Sequence, residues 1–283
     1  TNIMVAWLLR TTAQVLIAIG PQARRRVAAK TGLKDEEAKA WDDIAARLNL
    51  CFSDDGVLEQ FDGYFELEDL DWDAYRREYG SIGRMDRLLK AEGKSPDDYK
   101  VAKQADALMP FFVLPDDELQ TILSSLGYQP GPQFLQRNFD YYLGRTSHGS
   151  TLSRLVHADL ANRAGRPEVS WELFRQALLS DYADTQNGTT KEGVHTGVMA
   201  GTVLLALGAY AGLDLGGPEV SVVPRLPARW RAMRFNVGFR GVRYYFEVDR
   251  EKVRVRVDRP ATVAVGGATH SLAAGAWTTL DVG

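Results

Sequence analysis

Apolar residues recur at helical spacing through most of this chain and switch to strict alternation near its C-terminus. Ile3, Trp7, Leu8, Val15 and Ile19 predict a helix over residues 2–19, which Gly20-Pro21 stops. Ala38, Trp41, Ile44, Ala45 and Leu48 share one side of a second helix over residues 34–48. Residues 51–70, CFSDDGVLEQFDGYFELEDL, have no helical period and predict an ordered loop. Further helices follow at residues 99–109, ended by Pro110, and from Pro115 to Leu126, with acids in the first turn as the macrodipole favours. Others follow at residues 133–142, from about 151 to Arg163, and at 171–179. A small-residue turn at 188–190 then leads into a helix reaching Tyr210. Glu192 and His195 are expected in its first turn, and Met199, Val203 and Leu207 along its anchoring side. Beyond Pro218, Val253, Val255 and Val257 alternate with Arg254, Arg256 and Asp258, the pattern of a half-buried strand.

Residues 1–217 therefore read as helices in antiparallel succession with polar, glycine-rich connections, and residues 218–283 as a small antiparallel β-domain. The 283 residues suffice for one large domain and a small one. A net charge of −3 gives no general attraction to nucleic acid or to an anionic membrane. Arg24-Arg25-Arg26 is too short for a binding stripe and reads as a solvated helix face. Cys51 is the single cysteine, so no internal disulfide forms and a cysteine-based metal site is not expected. The four histidines show no His-x-x-x-His pair, and no metal is expected. No signal peptide is visible, and residues 3–19 are too polar and too short to span a bilayer. A cytoplasmic protein is the expectation. The chain opens at Thr1 in the middle of a helical pattern, as part of a longer protein would.

Three stretches carry candidate chemistry. GTTKEGVH at 188–195 sets Glu192 and His195 three residues apart at a helix start, where free N–H groups and the positive dipole end suit phosphate. Glu192 as a capping carboxylate and His195 as a core histidine are the alternative. HGSTLS at 148–153 is a second hydroxyl-bearing helix start, suited to an anion or a sugar hydroxyl. The loop at 51–70 combines aromatic rings with carboxylates, as sugar sites do. It reads equally as a surface loop pinned by Phe61, Tyr64 and Phe65. Lys103 is open to reading as a surface lysine, and Asp106 as a cap or an arginine partner.

KQAD at 103–106, HGSTLS at 148–153, GTTKEGVH at 188–195 and MAG at 199–201 resemble, in order, the C-terminal half of glycoside hydrolase family 65. The loop EQFDGYFELED at 59–69 resembles it too, and the likeness covers most of residues 1–215. The resemblance implies a mainly α fold: part of an (α/α)6 barrel of helical hairpins, followed by a small antiparallel β-domain. It implies an enzyme acting on α-linked glucosyl disaccharides, most often by inverting phosphorolysis and in some members by hydrolysis. Inorganic phosphate would be the co-substrate, with no other cofactor and a homodimer as one possible assembly. Lys103 and Gln104 match family residues that contact the glucosyl unit. The hydroxyls of Ser150 and Thr151 and the imidazole of His195 match the phosphate pocket, with Glu192 behind His195 as its partner. The family's general-acid glutamate is expected upstream of Thr1, so no catalytic residue is assigned within the chain, and these residues alone are expected to be inactive. His148 departs from common family versions and receives no role. His157, one turn beyond Ser153, reads as structural. A non-catalytic carbohydrate-binding or interaction module is the remaining alternative.

Overall fold

The computed structural model describes residues 1–183, 191 and 193–282. Eleven α-helices among the described residues precede a run of short strands, the mainly α and then β order the patterning predicts. The chain forms two compact units, Thr1–Ser147 and His148–Gly283, and each is described by itself.

In the first unit, α1 (Asn2–Ala18) packs against α3 (Asp35–Ala46) and α7 (Asp116–Ser125). Gly20-Pro21 ends α1 as predicted and also opens α2 (Gly20–Thr31), because proline's missing N–H costs nothing in a first turn. Of the predicted α1 stripe, Ile3 is buried and Trp7 half-buried, whereas Leu8, Val15 and Ile19 are exposed; Ala6 and Leu16 are buried in their place. Helices α4 (Trp72–Tyr79) and α5 (Met85–Ala91) bury Trp72, Tyr75, Met85 and Leu89 in a small core of their own. The predicted helix at 99–109 is not formed. Ala102 pairs with Thr146 in an isolated bridge, Asp106–Leu108 is a 3-10 turn, and Pro110 opens α6 (Met109–Val113) instead of closing a helix.

The loop at 51–70 is ordered through α8 (Phe134–Leu143). Asn138, fully buried, accepts the Leu58 N–H at its Oδ1 (2.8 Å) and donates from Nδ2 to the Phe134 carbonyl (2.9 Å). The Tyr142 hydroxyl donates to the Leu58 carbonyl (2.5 Å), and burial pushes its pKa well up. Two side chains of one helix thus satisfy both backbone groups of a buried loop residue.

In the second unit, α9 (Thr151–Arg163) and α10 (Pro167–Leu178) form an antiparallel hairpin. It is tied by Arg154 Nε to Gln176 Oε1 (3.0 Å) and by the Ser170 hydroxyl to the Ala158 carbonyl (2.6 Å). Helix α11 (Thr196–Leu205) continues into a π-helical turn, Ala206–Tyr210. Its inward side differs from the predicted one. Val198, Gly201, Thr202 and Leu205 are buried, Met199 is half-buried and Val203 is 59% exposed. The reason is Gly201: a Cβ there would lie 2.2 Å from Leu155 Cδ2, so the bare backbone sets where α9 docks.

Eight strands follow among the described residues: β1 (Leu213–Asp214), β2 (Val220–Val222), β3 (Met233–Phe239), β4 (Val242–Val248), β5 (Lys252–Val257), β6 (Ala261–Val265), β7 (Ala268–Leu272) and β8 (Thr278–Asp281). They form two sheets, ordered β1-β2-β6-β7 and β3-β4-β5-β8. The ladders among the described residues are antiparallel except β2–β6, which is parallel. Val253, Val255 and Val257 are fully buried, as their alternation predicts, in a core with Val220, Phe246 and Val263. Trp230, on the β2–β3 connection, meets Trp171, Phe174 and Tyr210 edge-on at 5.5–5.9 Å and fastens that connection to the helices.

Two outcomes follow from this packing. Gly212 joins the helices to β1 at φ +66°, and a Cβ there would lie 1.8 Å from the Val223 carbonyl oxygen. Gly212→Ala should cost about 3 kcal/mol or more, whereas Gly208→Ala, with open space around it, should be near neutral; thermal unfolding distinguishes them. Burial pushes the His157 imidazole down to about 4, although its Nδ1–H donates to the Ser153 carbonyl (2.8 Å). The unfolded chain, titrating near 6.5, then binds more protons than the folded one between pH 6.5 and about 4. Stability should fall by roughly 3 kcal/mol on acidification across that window, and His157→Gln should flatten the dependence of the urea midpoint on pH.

Candidate functional site

The predicted anion-binding residues sit at the starts of two helices of the second unit. Ser150 is the N-cap of α9, in extended backbone, and its hydroxyl makes no capping bond. Thr151, the first residue of α9, is 5% exposed. Just before them, His148 adopts φ +54°, uncommon for a residue with a side chain. That turn carries its Nδ1 to 2.9 Å from the Ser153 hydroxyl and its ring to 4.7 Å from that of His157. His157 is fully buried beneath them.

His195 is the N-cap of α11 rather than a member of its first turn. Helical backbone bonds begin at its carbonyl, which accepts from the N–H groups of Val198 (2.9 Å) and Met199 (3.1 Å). Glu192, Gly188, Thr189 and Thr190 lie outside the described residues, so the expected Glu192–His195 pairing has no geometry here. The partner His195 does have is Asp181, three residues past the end of α10. Asp181 Oδ1 meets His195 Nδ1 at 2.5 Å, and Asp181 Oδ2 accepts the His195 backbone N–H at 2.8 Å. The Asp181 turn is itself held: the buried Ser180 hydroxyl donates to the Ala177 carbonyl, and the N–H groups of Tyr182 and Ala183 return to Leu179. The pattern of residue types gave no signal for Asp181, a carboxylate fourteen positions from the histidine.

The helices bring these residues to one end. Leu155 packs on Gly201, and Asn162 Nδ2 donates to the Ala209 carbonyl (2.7 Å). Contacts offset by 46 and then 47 positions mean that α9 and α11 run parallel. Carried back to the helix starts, that register sets Ser150 level with Thr196 and Gly197, beside His195. Packed helices lie about 8–10 Å apart. Two helix N-termini, with their partial positive charge, therefore open side by side, carrying Ser150, Thr151 and one imidazole. An oxyanion is what such a cradle suits.

Lys103 and Gln104 belong to the first unit, exposed on the segment between Ala102 and the 3-10 turn. Gln104 Nε2 donates to Asp106 Oδ1 (3.1 Å), so Asp106 pairs with a neighbouring amide. The Asp86 carboxyl is held below its usual range, first by hydrogen bonding to Arg84 and with a smaller contribution from the Lys103 charge. In the loop at 51–70, Tyr64 is buried against Phe65, Tyr141 and Tyr142, while Phe61, half-exposed, meets Tyr64 edge-on at 5.5 Å. Most of its rings thus pin the loop. Cys51, Glu59 and Asp62 hold ligand-type atoms within 4.8 Å of one another. Desolvation and Glu59 push the Cys51 thiol up.

With that geometry in view, comparison with known proteins identifies the class. Residues 1–204 match the glycosyl hydrolase family 65 central catalytic domain, and residues 216–272 match the C-terminal domain of the same family. The chain belongs to glycosyl hydrolase family 65. It is 44% identical over 240 residues to an uncharacterized glycosyl hydrolase of Mycobacterium tuberculosis, covering 85% of this chain and 18% of that protein. It is 38% identical over 239 residues to the trehalose 6-phosphate phosphorylase of Lactococcus lactis, covering 84% of this chain and 31% of that enzyme. The chain thus spans less than a third of these relatives. A solved putative kojibiose phosphorylase from the human microbiome shares the fold, with a TM-score of 0.76 at 19% identity, over 99% of this chain and 36% of its own. No described helix is long and apolar enough to cross a membrane.

The hydrogen bond from His195 holds the Asp181 carboxyl below its ordinary value of 3.8. Its contribution to the α11 cap is therefore present above that pH and lost as the pH falls further. A carboxyl carbon-13 titration of Asp181 should give a midpoint below 3.8, and His195→Ala should move it back up.

Proposed function

We propose that the full-length protein containing this chain cleaves α-linked glucosyl disaccharides by inverting phosphorolysis, releasing β-glucose 1-phosphate. The paired N-termini of α9 and α11, with the Ser150 and Thr151 hydroxyls and the imidazole of His195, are the observation that carries this reading. Phosphate is already an anion, so it needs a cradle of donors and partial positive charge rather than a general base. Lys103 and Gln104 supply adjacent donors for hydroxyls of the glucosyl unit. Protonation of the departing oxygen falls to a glutamate outside these residues, so the test uses the full-length protein. The kinship with phosphorylases, the Lactococcus lactis enzyme among them, supports phosphate as the attacking group and adds a phosphorylated disaccharide to the substrates to be tried.

Trehalose, trehalose 6-phosphate, maltose and kojibiose should each be incubated with and without inorganic phosphate. β-Glucose 1-phosphate formed from at least one of them, and only with phosphate present, is the expected result. Free glucose released at the same rate without phosphate would make the enzyme a hydrolase. Removing a hydrogen bond to a charged group costs about 1.5–3 kcal/mol, so His195→Ala should raise the KM for phosphate roughly 10- to 100-fold. The KM for the disaccharide should change far less, and an unaltered phosphate KM would take His195 out of this role.

A further inference from the structure

We infer that Asp181 is a positioning residue that sets the ring orientation and tautomer of His195 for phosphate. The inference rests on the phosphate-binding reading of His195 given above and extends it to a residue outside the sequence motifs. Three observations carry it. Asp181 meets the imidazole at Nδ1 (2.5 Å) and the backbone N–H of the same residue (2.8 Å), so one carboxylate fixes both the ring and the start of α11. An ionised carboxylate only accepts hydrogen bonds, so Nδ1 must carry a proton. The Asp181 side chain is 14% exposed and the His195 side chain 27%, so solvent competes little for the pair.

The consequence falls on the other ring nitrogen. With Nδ1 carrying the proton, Nε2 is the acceptor of a neutral ring. Monohydrogen phosphate carries one P–OH, the donor that such a nitrogen takes, and its remaining oxygens stay free for the N–H groups and hydroxyls of the helix starts. Asp181 touches neither phosphate nor sugar in this arrangement. It acts through the ring, as carboxylates do that hold the distal nitrogen of working histidines.

Asp181→Asn discriminates this role from simple support. Asparagine keeps the shape and, with its carbonyl, still accepts the His195 backbone N–H. Its NH2 group then faces Nδ1, which must accept, and the proton moves to Nε2. Ring nitrogen-15 spectra of the full-length protein should show the protonated nitrogen switching from Nδ1 to Nε2. The KM for phosphate should rise about tenfold or more, with the disaccharide KM within about twofold of wild type, and Asp181→Asn added to His195→Ala should have no further effect on phosphate KM. Asp181→Ala should match or exceed the loss, and Asp181→Glu should recover part of it. Wild-type nitrogen-15 patterns and phosphate KM in Asp181→Asn, alongside a raised phosphate KM in His195→Ala, would overturn the role of Asp181 alone. An unchanged phosphate KM in His195→Ala would overturn the underlying reading of the site.

Discussion

The close approach of α9 and α11 at Gly201 is the constraint on which the candidate site depends. A residue with no side chain lets Leu155 press against the backbone of α11, and that contact sets the register of two parallel helices. Parallel packing in this register brings two N-termini to one level. Their like-oriented dipoles then add where antiparallel helices would oppose each other. Asn162 secures the same register two turns further along by bonding the Ala209 carbonyl inside the π-helical turn, where backbone pairing is irregular.

Around that frame, polar groups are held by side chains reaching from neighbouring elements. Asp181 caps α11 from the end of α10 with one oxygen and steadies the His195 imidazole with the other. In the first unit, Asn138 and Tyr142 do the same for Leu58 in a loop that has little regular structure. In each case a buried or half-buried backbone group finds a partner that secondary structure alone does not supply. The turn at Asp181 and the loop at Leu58 are therefore built parts with defined shapes, which a binding site on a helical scaffold requires.

Much of the architecture was legible beforehand. The helical period gave α1, α3, α7, α8, α9 and α10 to within a few residues, because apolar spacing reports directly which positions can share a face. Strict alternation at Val253, Val255 and Val257 gave a buried strand for the same reason. Motifs in a fixed order pointed to the family that the comparisons then showed. Errors arose where a local rule has two outcomes. Proline ends one helix and opens another, so Pro110 was placed on the wrong side of its helix. Large apolar residues were assigned to the inner side of α11, but the packing chose Gly201 and the small residues near it.

By itself, the sequence determined the order of helices and strands, the family, and the residue types gathered at two hydroxyl-bearing helix starts. These follow from local periodicity and from contiguous motifs, and both can be read along the chain. Tertiary structure alone decided that α9 and α11 run parallel in register, that His195 is a cap held by Asp181, and that β2 pairs in parallel with β6. Each of those is a contact between residues 14 to 47 positions apart. Spacing along the chain is silent about such contacts, because they are selected by how whole elements pack.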